Sequence, residues 1–440
     1  MASDRPSDVA FRFEDKIVPG RAGEPVGVAL FAHGIRLLGR SPKFHRPRGL
    51  FCGNGHCGSC LLRIDGIPNV RACQAPVSEN TRCERQNAFP DAEVDLLAAA
   101  DWFFPRGMDH HRMMTGTRLG NELFVKLVRQ VGGMGKLPDE VAPPAEPIAD
   151  AAVDVLVVGG GPAGLAAATA LAKQKPDARI LLLDDQAAPG GSLRAEPDGD
   201  QRVAELVESL TRAGPGVEVS LRSSVLGHYP EDEPPARSPA GATPAAAAPP
   251  GRSRSPGELL PGVVLARRPA GLLRIKARRL LYATGAYEQN LVFPGNDRPG
   301  VLAARAVGRL AFCFGLGPAR KVVFATGSTS PLELVGRLAA GLQARGVKVE
   351  IHDVRRLPRL NLGRDVLAVA ARPAPASELL RQQGCPVVFE ASKGGFVPHT
   401  DSTGRCAERI FAAGDVCGYR GPQAALAMGN EVGRAVAEGL

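Results

Sequence analysis

The 440-residue sequence is poor in aromatic side chains, which make up 5% of it, and it contains a single tryptophan. No run reaches the roughly 18 consecutive apolar residues that a membrane-spanning helix needs. The opening stretch, MASDRPSDVAFRFED, contains acidic residues and lacks the hydrophobic core of a signal peptide. These absences predict a cytoplasmic protein without a transmembrane segment.

The charge balance is basic, with a formal net charge of +9 from 54 basic and 45 acidic residues. Such a balance can indicate nucleic-acid binding. Here, however, the arginines are spread along the chain and aromatic residues are few. We therefore expect a solvated basic surface and no nucleic-acid partner.

The length corresponds to roughly three domains at about 150 residues each. Glycine and proline together supply 90 of the 440 residues, which predicts many turns and linkers. The Pro/Ala/Arg-rich stretch at about 230–260 has no apolar periodicity, so we expect a disordered insertion there. The predicted segments are a cysteine-rich domain (1–100), a helical bridge and linker (101–150), the first part of a glycine-loop domain (151–293), a second domain with a degenerate glycine loop (294–396) and the C-terminal part of the first glycine-loop domain (397–440).

Five of the nine cysteines lie between positions 52 and 83, and four of them follow the spacing C-x4-C-x2-C-x12-C. Plant-type two-iron ferredoxins share the C-x4-C-x2-C part and have a more distant fourth cysteine. The intervening glycines allow the backbone to fold tightly around a cluster. A four-thiolate zinc site and a set of free thiols are the alternatives, and Cys83 is interpreted as a spare thiol. The predicted cluster ligands are Cys52, Cys57, Cys60 and Cys73.

A second motif, GGGPAG, follows the apolar strand VDVLVV and precedes an Ala-rich helix. Its glycines Gly159, Gly161 and Gly164 form G-x-G-x-x-G, which allows a tight turn and close approach of a pyrophosphate to the helix N-terminus. Asp184 follows twenty residues after Gly164 and is the predicted ribose ligand, with Asp185 as the alternative.

Two later segments favour FAD over NAD at this site. Ala283, Thr284 and Gly285 follow an apolar strand, as in flavoproteins with two dinucleotide domains. The later sequence IFAAGD contains Gly414 and Asp415 and is similar to the second FAD signature of that superfamily. We therefore predict FAD, with Asp415 binding its ribityl chain.

A second strand–turn–helix–strand pattern begins at KVVFATGSTSPLEL, where Gly327 alone remains of a G-x-G-x-x-G. The hydroxyl residues 328–330 fit phosphate binding or helix capping equally well. NAD(P) binding therefore stays open here. Because no C-x-x-C or C-x4-C lies near the first glycine loop, a dithiol reductase is not expected.

Few side chains suggest acid–base or nucleophilic chemistry, and no Ser/His/Asp set stands out, so the catalytic residues stay unknown. His45, Arg46 and Arg48 precede the cysteine loop and are expected to tune or cover a cluster. Tyr287 and Glu288 could line a flavin or be ordinary turn residues. The neighbouring His110 and His111 are interpreted as a solvated pair.

The motifs together resemble those of one oxidoreductase group. SPKFHRPRGLFCGNGHCGSC, GGGPAGLAAA with DDQAAPGGSL, ATGAYEQNLVFPGNDRPGV and FAAGDV are similar to segments of the sarcosine oxidase alpha subunit, hydrogen cyanide synthase and opine oxidase group. The resemblance implies a multidomain α/β and α+β protein. A β-grasp-like 2Fe–2S ferredoxin domain is expected first, followed by a glutathione-reductase-like FAD frame with two Rossmann dinucleotide-binding domains.

The same resemblance implies a function. Members of the group are electron-transfer subunits that work beside a second flavoprotein subunit, which oxidises a C–N bond of a small amine or amino acid. We therefore expect a subunit of a heteromeric FAD/iron–sulfur dehydrogenase or oxidase for a donor such as sarcosine, proline, an opine or glycine. The alternatives are a stand-alone NAD(P)H-dependent reductase and a non-catalytic scaffold that holds the cofactors.

Overall fold

The computed structural model describes residues 8–42, 44–99, 147–230, 262–362 and 364–440. Backbone contacts divide the chain into two units. Among the described residues, unit 1 contains 8–99, 194–198 and 288–372, and unit 2 contains 147–193, 199–287 and 373–440. The predicted bridge up to residue 146, with His110 and His111, and the predicted insertion from residue 231 onward lie outside the described residues.

Unit 1 begins with a small mixed sheet whose strand order is β2-β1-β7-β5-β6. Alternation in VAFRF places Phe11 and Phe13 on the buried face, each 1% exposed. One short apolar helix, α1, accompanies the sheet. The elements are β1 (Val9–Phe13), β2 (Lys16–Gly20), α1 (Val26–Ala32), β3 (Gly39–Arg40), β4 (Pro47–Arg48), β5 (Leu61–Ile64), β6 (Ile67–Arg71) and β7 (Arg82–Glu84).

The second part of unit 1 is a four-stranded parallel sheet, β15-β18-β16-β17. Its central strands have continuous buried apolar runs, VVFA in β16 and VLAV in β18, as expected for parallel strands buried on both faces. An extended helix crosses from β16 to β17 and completes a βαβ unit. The elements are β15 (Val301–Ala303), α4 (Ala304–Gly308), a π-helical turn (Arg309–Cys313), β16 (Lys321–Thr326), α5 (Leu332–Ala344), β17 (Lys348–Asp353) and β18 (Val366–Val369).

Unit 2 contains an eight-stranded sheet with the path β10-β9-β8-β13-β12-β11, to which β23 and β22 add beside β13. Strands β10, β9, β8, β13 and β23 are parallel, and β11, β12 and β13 form an antiparallel meander. The strands are β8 (Ile148–Val158), β9 (Ile180–Leu183), β10 (Val217–Ser220), β11 (Ser224–Pro230), β12 (Gly262–Arg268), β13 (Gly271–Tyr282), β22 (Arg405–Ala407) and β23 (Ile410–Ala412).

Four helices and four short strands complete unit 2. They are α2 (Pro162–Gln174), α3 (Gly199–Ala213), β14 (Ala286–Tyr287), β19 (Ala374–Pro375), α6 (Glu378–Gln382), β20 (Val387–Glu390), β21 (Gly395–Pro398) and α7 (Pro422–Glu438). Short 3₁₀ turns along the chain are Leu96–Ala99, Gly191–Ala195, Val354–Arg356, Ala391–Lys393 and Gly414–Cys417. No helix within the described residues is both long and apolar enough to span a bilayer.

Helices α2 and α7 pack closely because two glycines of α7 face the backbone of α2. A Cβ at Gly429 would overlap the carbonyl oxygen of Ala163, and one at Gly433 would overlap that of Ala167. The spacing of four residues places both glycines on one face of α7. This contact holds the last helix of the chain against the helix that follows the first glycine loop.

Candidate iron–sulfur and dinucleotide sites

The four predicted cluster ligands come together in one loop region of unit 1. The thiol of Cys52 hydrogen-bonds with those of Cys57 and Cys73, and the thiol of Cys60 hydrogen-bonds with that of Cys73. These contacts lower the pKa of Cys52 and Cys60 and raise the pKa of Cys57 and Cys73, because a proton is held between each pair. Three of the thiols are buried and Cys57 is exposed.

The glycines of the loop turn backbone amides toward the sulfur atoms. Gly53, Gly55 and Gly58 have φ values of +64°, +87° and +64°, which glycine adopts without strain. The amide of Gly55 donates to Sγ of Cys73 at 3.2 Å, and the amide of Ser59 donates to Sγ of Cys57 at 3.4 Å. Such donors stabilise thiolates.

The loop fits a two-iron cluster on the chemistry of its donors. Four thiols joined through three hydrogen-bonded pairs, with amide donors pointing at two of them, are the set that a 2Fe–2S centre takes from a protein. Across the described ranges, no group of three or more His, Cys, Asp or Glu side chains is arranged as a site for a single metal ion. A two-iron cluster distributes its four thiolates over two irons.

The other residues singled out near this loop have partners of their own. Cys83 is buried in β7, and burial raises its pKa to about 12. His45 lies 2.9 Å from a carboxylate oxygen of Asp95. Arg46 and Arg48 both face Asp297, at 3.8 and 3.9 Å.

In unit 2 the first glycine loop joins β8 to α2, as the motif predicts. Gly159 has a φ of +108°, and a Cβ there would overlap the carbonyl oxygen of Ala283. A Cβ at Gly164 would overlap the carbonyl oxygen of Gly159, so the helix packs directly on the turn. Gly161 differs: a Cβ there would meet only Cα of Gly191, at 3.8 Å. The open side of Gly161, at the N-terminus of α2, is a cradle that fits a pyrophosphate.

Asp184 follows β9 and is buried against this loop. Its two carboxylate oxygens accept from the amide of Gly160 at 2.5 Å and from the amide of Gln186 at 2.8 Å. Asp185 is more exposed, and its carboxylate accepts from the side chain of Gln186 at 2.7 Å. Asp184 therefore fixes the shape of the glycine loop, and its binding of a ribose stays a prediction.

The two later segments of the predicted FAD site reach the same glycine loop. Ala283 contacts Gly159, and the hydroxyl of Thr284 donates to the carbonyl oxygen of Ala376 at 2.7 Å. Gly285 has a φ of +75° with open space around it. Gly414 has a φ of +83°, and its Cβ position lies 2.6 Å from Cβ of Ala163 in α2. All nine predicted residues therefore lie within unit 2, where Ala283 and Gly414 contact the glycine loop and the start of α2; the nine are Gly159, Gly161, Gly164, Asp184, Ala283, Thr284, Gly285, Gly414 and Asp415.

In the degenerate glycine loop of unit 1, a side chain of the loop accepts a hydrogen bond from the loop's own backbone. The amide of Gly327 donates to Oγ of Ser330 at 2.8 Å. An acid that we had not singled out, Asp353, ends β17, where a dinucleotide fold places its ribose ligand. The Arg355 guanidinium holds the pKa of Asp353 at about 2. The final residue of the strand KVEIHD was the signal that could have found it.

Two further residues that sequence reasoning missed lie beside the cysteine loop. Arg305 and Arg309 share the carboxylate of Glu288, at 2.7 and 3.9 Å. Arg309 also donates to the carbonyl oxygen of Cys52 at 3.3 Å. Glu288 is therefore engaged by arginines of unit 1, while Tyr287 in unit 2 donates to Glu378 at 3.0 Å. The available signal was two arginines four residues apart in the apolar run LAARAVGRLAF.

Comparison with known proteins agrees with both sites. Residues 7–88 match the model of a 2Fe-2S iron-sulfur cluster binding domain, and residues 157–213 match that of an NAD(P)-binding Rossmann-like domain. The hydrogen cyanide synthase subunit HcnA of Pseudomonas aeruginosa is 38% identical over 87 residues, which are 20% of this chain and 83% of that protein. The sarcosine oxidase subunit alpha of Rhizobium meliloti is 30% identical over 441 aligned positions, or 90% of this chain.

The chain belongs to the family of sarcosine oxidase alpha and hydrogen cyanide synthase subunits. The sarcosine oxidase subunit alpha of Corynebacterium sp. strain P-1 is also 30% identical, over 80% of this chain. The chain spans 43% and 31% of the lengths of the two sarcosine oxidase subunits. The predicted resemblance is thus confirmed, and the family is one of oxidoreductases.

The fold is confirmed by a solved structure. The crystal structure of L-proline dehydrogenase from P. horikoshii matches with a TM-score of 0.70 at 21% identity, covering 100% of this chain and 75% of that chain. Together with the two domain matches, this confirms the predicted fold class and the predicted pair of cofactor modules, a 2Fe–2S domain and an FAD-type flavoprotein fold. The domain boundaries and the individual site residues stay predictions.

Proposed function

We propose that this chain is an electron-transfer subunit of an FAD- and 2Fe–2S-dependent oxidoreductase that acts on CH–NH donors. The observation that carries the proposal is the presence, in one chain, of the four-thiol loop and a glycine cradle with an open face at Gly161. The names of the relatives support the donor class, since they include sarcosine oxidase and a structure of L-proline dehydrogenase.

Each part of the proposed FAD site has a distinct task. Gly161 leaves room for the pyrophosphate at the N-terminus of α2. Asp184 holds the glycine loop through the amide of Gly160 and is proposed to bind the ribose. Asp415, which is buried at the 3₁₀ turn before α7, is proposed to bind the ribityl chain.

The proposed cluster site complements the flavin site. Bound FAD supplies a two-electron acceptor that can return electrons singly, which matches a one-electron carrier held by Cys52, Cys57, Cys60 and Cys73. The amides of Gly55 and Ser59 are placed to stabilise the thiolate form of two of these ligands.

We place the substrate site on a second flavoprotein subunit. The relatives from Rhizobium meliloti and Pseudomonas aeruginosa are themselves named as subunits, which supports a heteromeric enzyme. The sequence shows no evident acid, base or nucleophile for amine oxidation. We therefore propose that the small amine or amino acid does not bind to this chain, which receives only the electrons released by its oxidation.

The deciding experiment compares the isolated chain with its complex, under anaerobic conditions and with stopped-flow detection of flavin bleaching. We expect slow bleaching of the isolated chain by NADH, NADPH and a panel of amines. The complex with a flavoprotein from the same operon should reduce an artificial acceptor when given a secondary amine or imino acid. Fast bleaching of the isolated chain by an amine would place the substrate site here, and no turnover by any complex would favour a cofactor-holding scaffold.

A stand-alone NAD(P)H-dependent reductase is the second candidate. The parallel β16–α5–β17 unit ending in Asp353 favours it, because this is the position of a ribose-binding acid. Fast bleaching by NADH or NADPH would support this candidate. Asp353→Ala should then raise the nicotinamide concentration needed for half-maximal bleaching, whereas the exposed Asp401→Ala should not.

A further inference from the structure

Three charged side chains are buried together in unit 1. The side chains of Arg305, Glu288 and Arg309 are 4%, 5% and 11% exposed. Charged groups are rarely placed so deep unless other charges compensate them. We call the cluster of Arg305, Glu288 and Arg309 the arginine triad; it contains two positive charges and one negative charge.

The triad lies against the cysteine loop. Arg309 donates to the carbonyl oxygen of Cys52, the first predicted cluster ligand, at 3.3 Å. On the same side, the amide of Ala303 donates to the carbonyl oxygen of Phe51 at 3.0 Å, and Gly53 leaves only 3.4 Å between its Cβ position and Cβ of Ala306. The segment that carries both arginines is therefore bonded to the loop along its length.

The charges around Arg309 identify what compensates it. The carboxylate that faces it is that of Glu288, and the side chains of Cys52 and Cys313 lie close by. Glu288 lies closer to Arg305, at 2.7 Å, than to Arg309, at 3.9 Å. A 2Fe–2S centre with four thiolates carries two negative charges when oxidised and three when reduced. Arg309 therefore lies beside the loop in which negative charge would grow on reduction of such a cluster.

The backbone supports this placement. Residues Arg309–Cys313 form a π-helical turn directly after α4, and such turns are rare and occur frequently at functional sites. The turn begins at Arg309 itself, the residue that donates to the cysteine loop.

We propose that Arg309 is a positioning residue of the iron–sulfur site that raises the reduction potential of the cluster. Its guanidinium fixes the carbonyl of Cys52 and offsets the negative charge that one-electron reduction adds. The electron comes from reduced flavin in the enzyme and from dithionite in the test. The inference rests on the proposed function, because it requires that the four cysteines hold a 2Fe–2S cluster.

The test is a dithionite titration of the full chain, followed by electron paramagnetic resonance of the reduced cluster. Arg309→Gln should lower the equilibrium constant for reduction about tenfold, which is about 59 mV for a one-electron couple. Arg309→Lys, which keeps the charge, should recover most of that shift. Arg320→Gln, which changes an exposed arginine of the same unit, is the matched control and should leave the potential unchanged.

Glu288→Gln should shift the reduction potential in the opposite direction. Removing the carboxylate takes away the negative charge that offsets Arg309, so the potential should rise. This variant also covers the case in which Arg309→Gln fails to fold, which circular dichroism and iron content would reveal. A normal signal with an unchanged potential in both variants would overturn the proposed role of Arg309 and leave the proposed function standing. Stoichiometric zinc without acid-labile sulfide in the unmodified chain would overturn the proposed function and this inference together.

Discussion

Gly161 and Gly164 stand three residues apart in one loop, yet a side chain would act differently at each. Gly161 has ordinary extended backbone with φ of −75° and open space where a Cβ would point. We expect Gly161→Val to fold normally and to lose FAD, because the side chain would occupy the place of the pyrophosphate. Flavin absorbance after gel filtration, read beside circular dichroism, measures both effects.

Gly164→Val is the matched contrast. Its Cβ would overlap the carbonyl oxygen of Gly159, so this variant should lose stability as well as flavin. Retention of flavin in a folded Gly161→Val protein would show that the pyrophosphate does not lie at this loop.

Cys57 and Cys83 offer a second contrast at the residue scale. Cys57 is exposed and is a predicted cluster ligand, whereas Cys83 is buried in β7. Cys57→Ser should remove the iron and leave the flavin bound. Cys83→Ser should keep about two irons per chain at some cost in stability, because it buries a hydroxyl. Iron, acid-labile sulfide and flavin analyses distinguish the two, and equal iron loss from both variants would count against the assigned ligand set.

At the residue scale, the sequence predicts contacts between residues that lie near one another along the chain. The cysteine spacing and the G-x-G-x-x-G loop each lie within a short segment, so residue spacing specifies their geometry. The bond from Arg309 to Cys52 joins residues that are 257 positions apart. No local pattern encodes such a contact, and the arginine triad therefore became visible only in the structure.

At the scale of elements, the close packing of helices α2 and α7 can be tested by substitution. Gly433→Leu places a side chain where the backbone of α2 now lies, and overpacking of this kind typically costs about 1–3 kcal/mol. We expect a lower urea midpoint and weaker flavin retention, because α2 carries the glycine loop at its N-terminus.

Ala427→Leu on the exposed side of α7 is the control and should change the midpoint little. If both leucine variants unfold at the same urea concentration as the unmodified chain, the close packing of α2 and α7 is not a source of stability.

Elements with a strong pattern were predictable. The segments GVVLARR and LLRIKARRLLY are rich in the branched apolar residues that favour strands, and they form β12 and most of β13. The π-helical turn Arg309–Cys313 was not predictable, since its sequence RLAFC suits an ordinary helix equally well. Packing against the cysteine loop, rather than intrinsic propensity, accompanies the departure from regular geometry.

At the scale of the whole molecule, the stretch from 231 to 261 joins two paired strands. Pro230 of β11 lies opposite Gly262 of β12, so the ends of the connection are already held together by the sheet. Deleting 233–256 leaves residues 231–232 and 257–261 to close the hairpin. We expect both cofactors to be retained and the thermal midpoint to change by less than about 2 °C, because shortening a loop changes its closure entropy only slowly. A large loss of stability would show that the deleted stretch packs or docks.

At this scale the sequence predicts which modules are present but not how distant segments group into units. Motifs indicated a cluster domain and a dinucleotide frame, and both are confirmed. The grouping of residues 8–99 with 288–372 in one unit joins segments that are far apart in sequence. Composition and motif order do not report such tertiary associations, so the linear boundaries remain a proposal.

The bonding of the cysteine loop to residues 303–309 bears on how genes for such enzymes can be divided. The hydrogen cyanide synthase subunit HcnA corresponds to the cluster domain and is a polypeptide in its own right, whereas here the same domain is fused to its neighbour. In a single chain the contact between the two segments is intramolecular, so it needs less interface than the same contact would need between separate polypeptides.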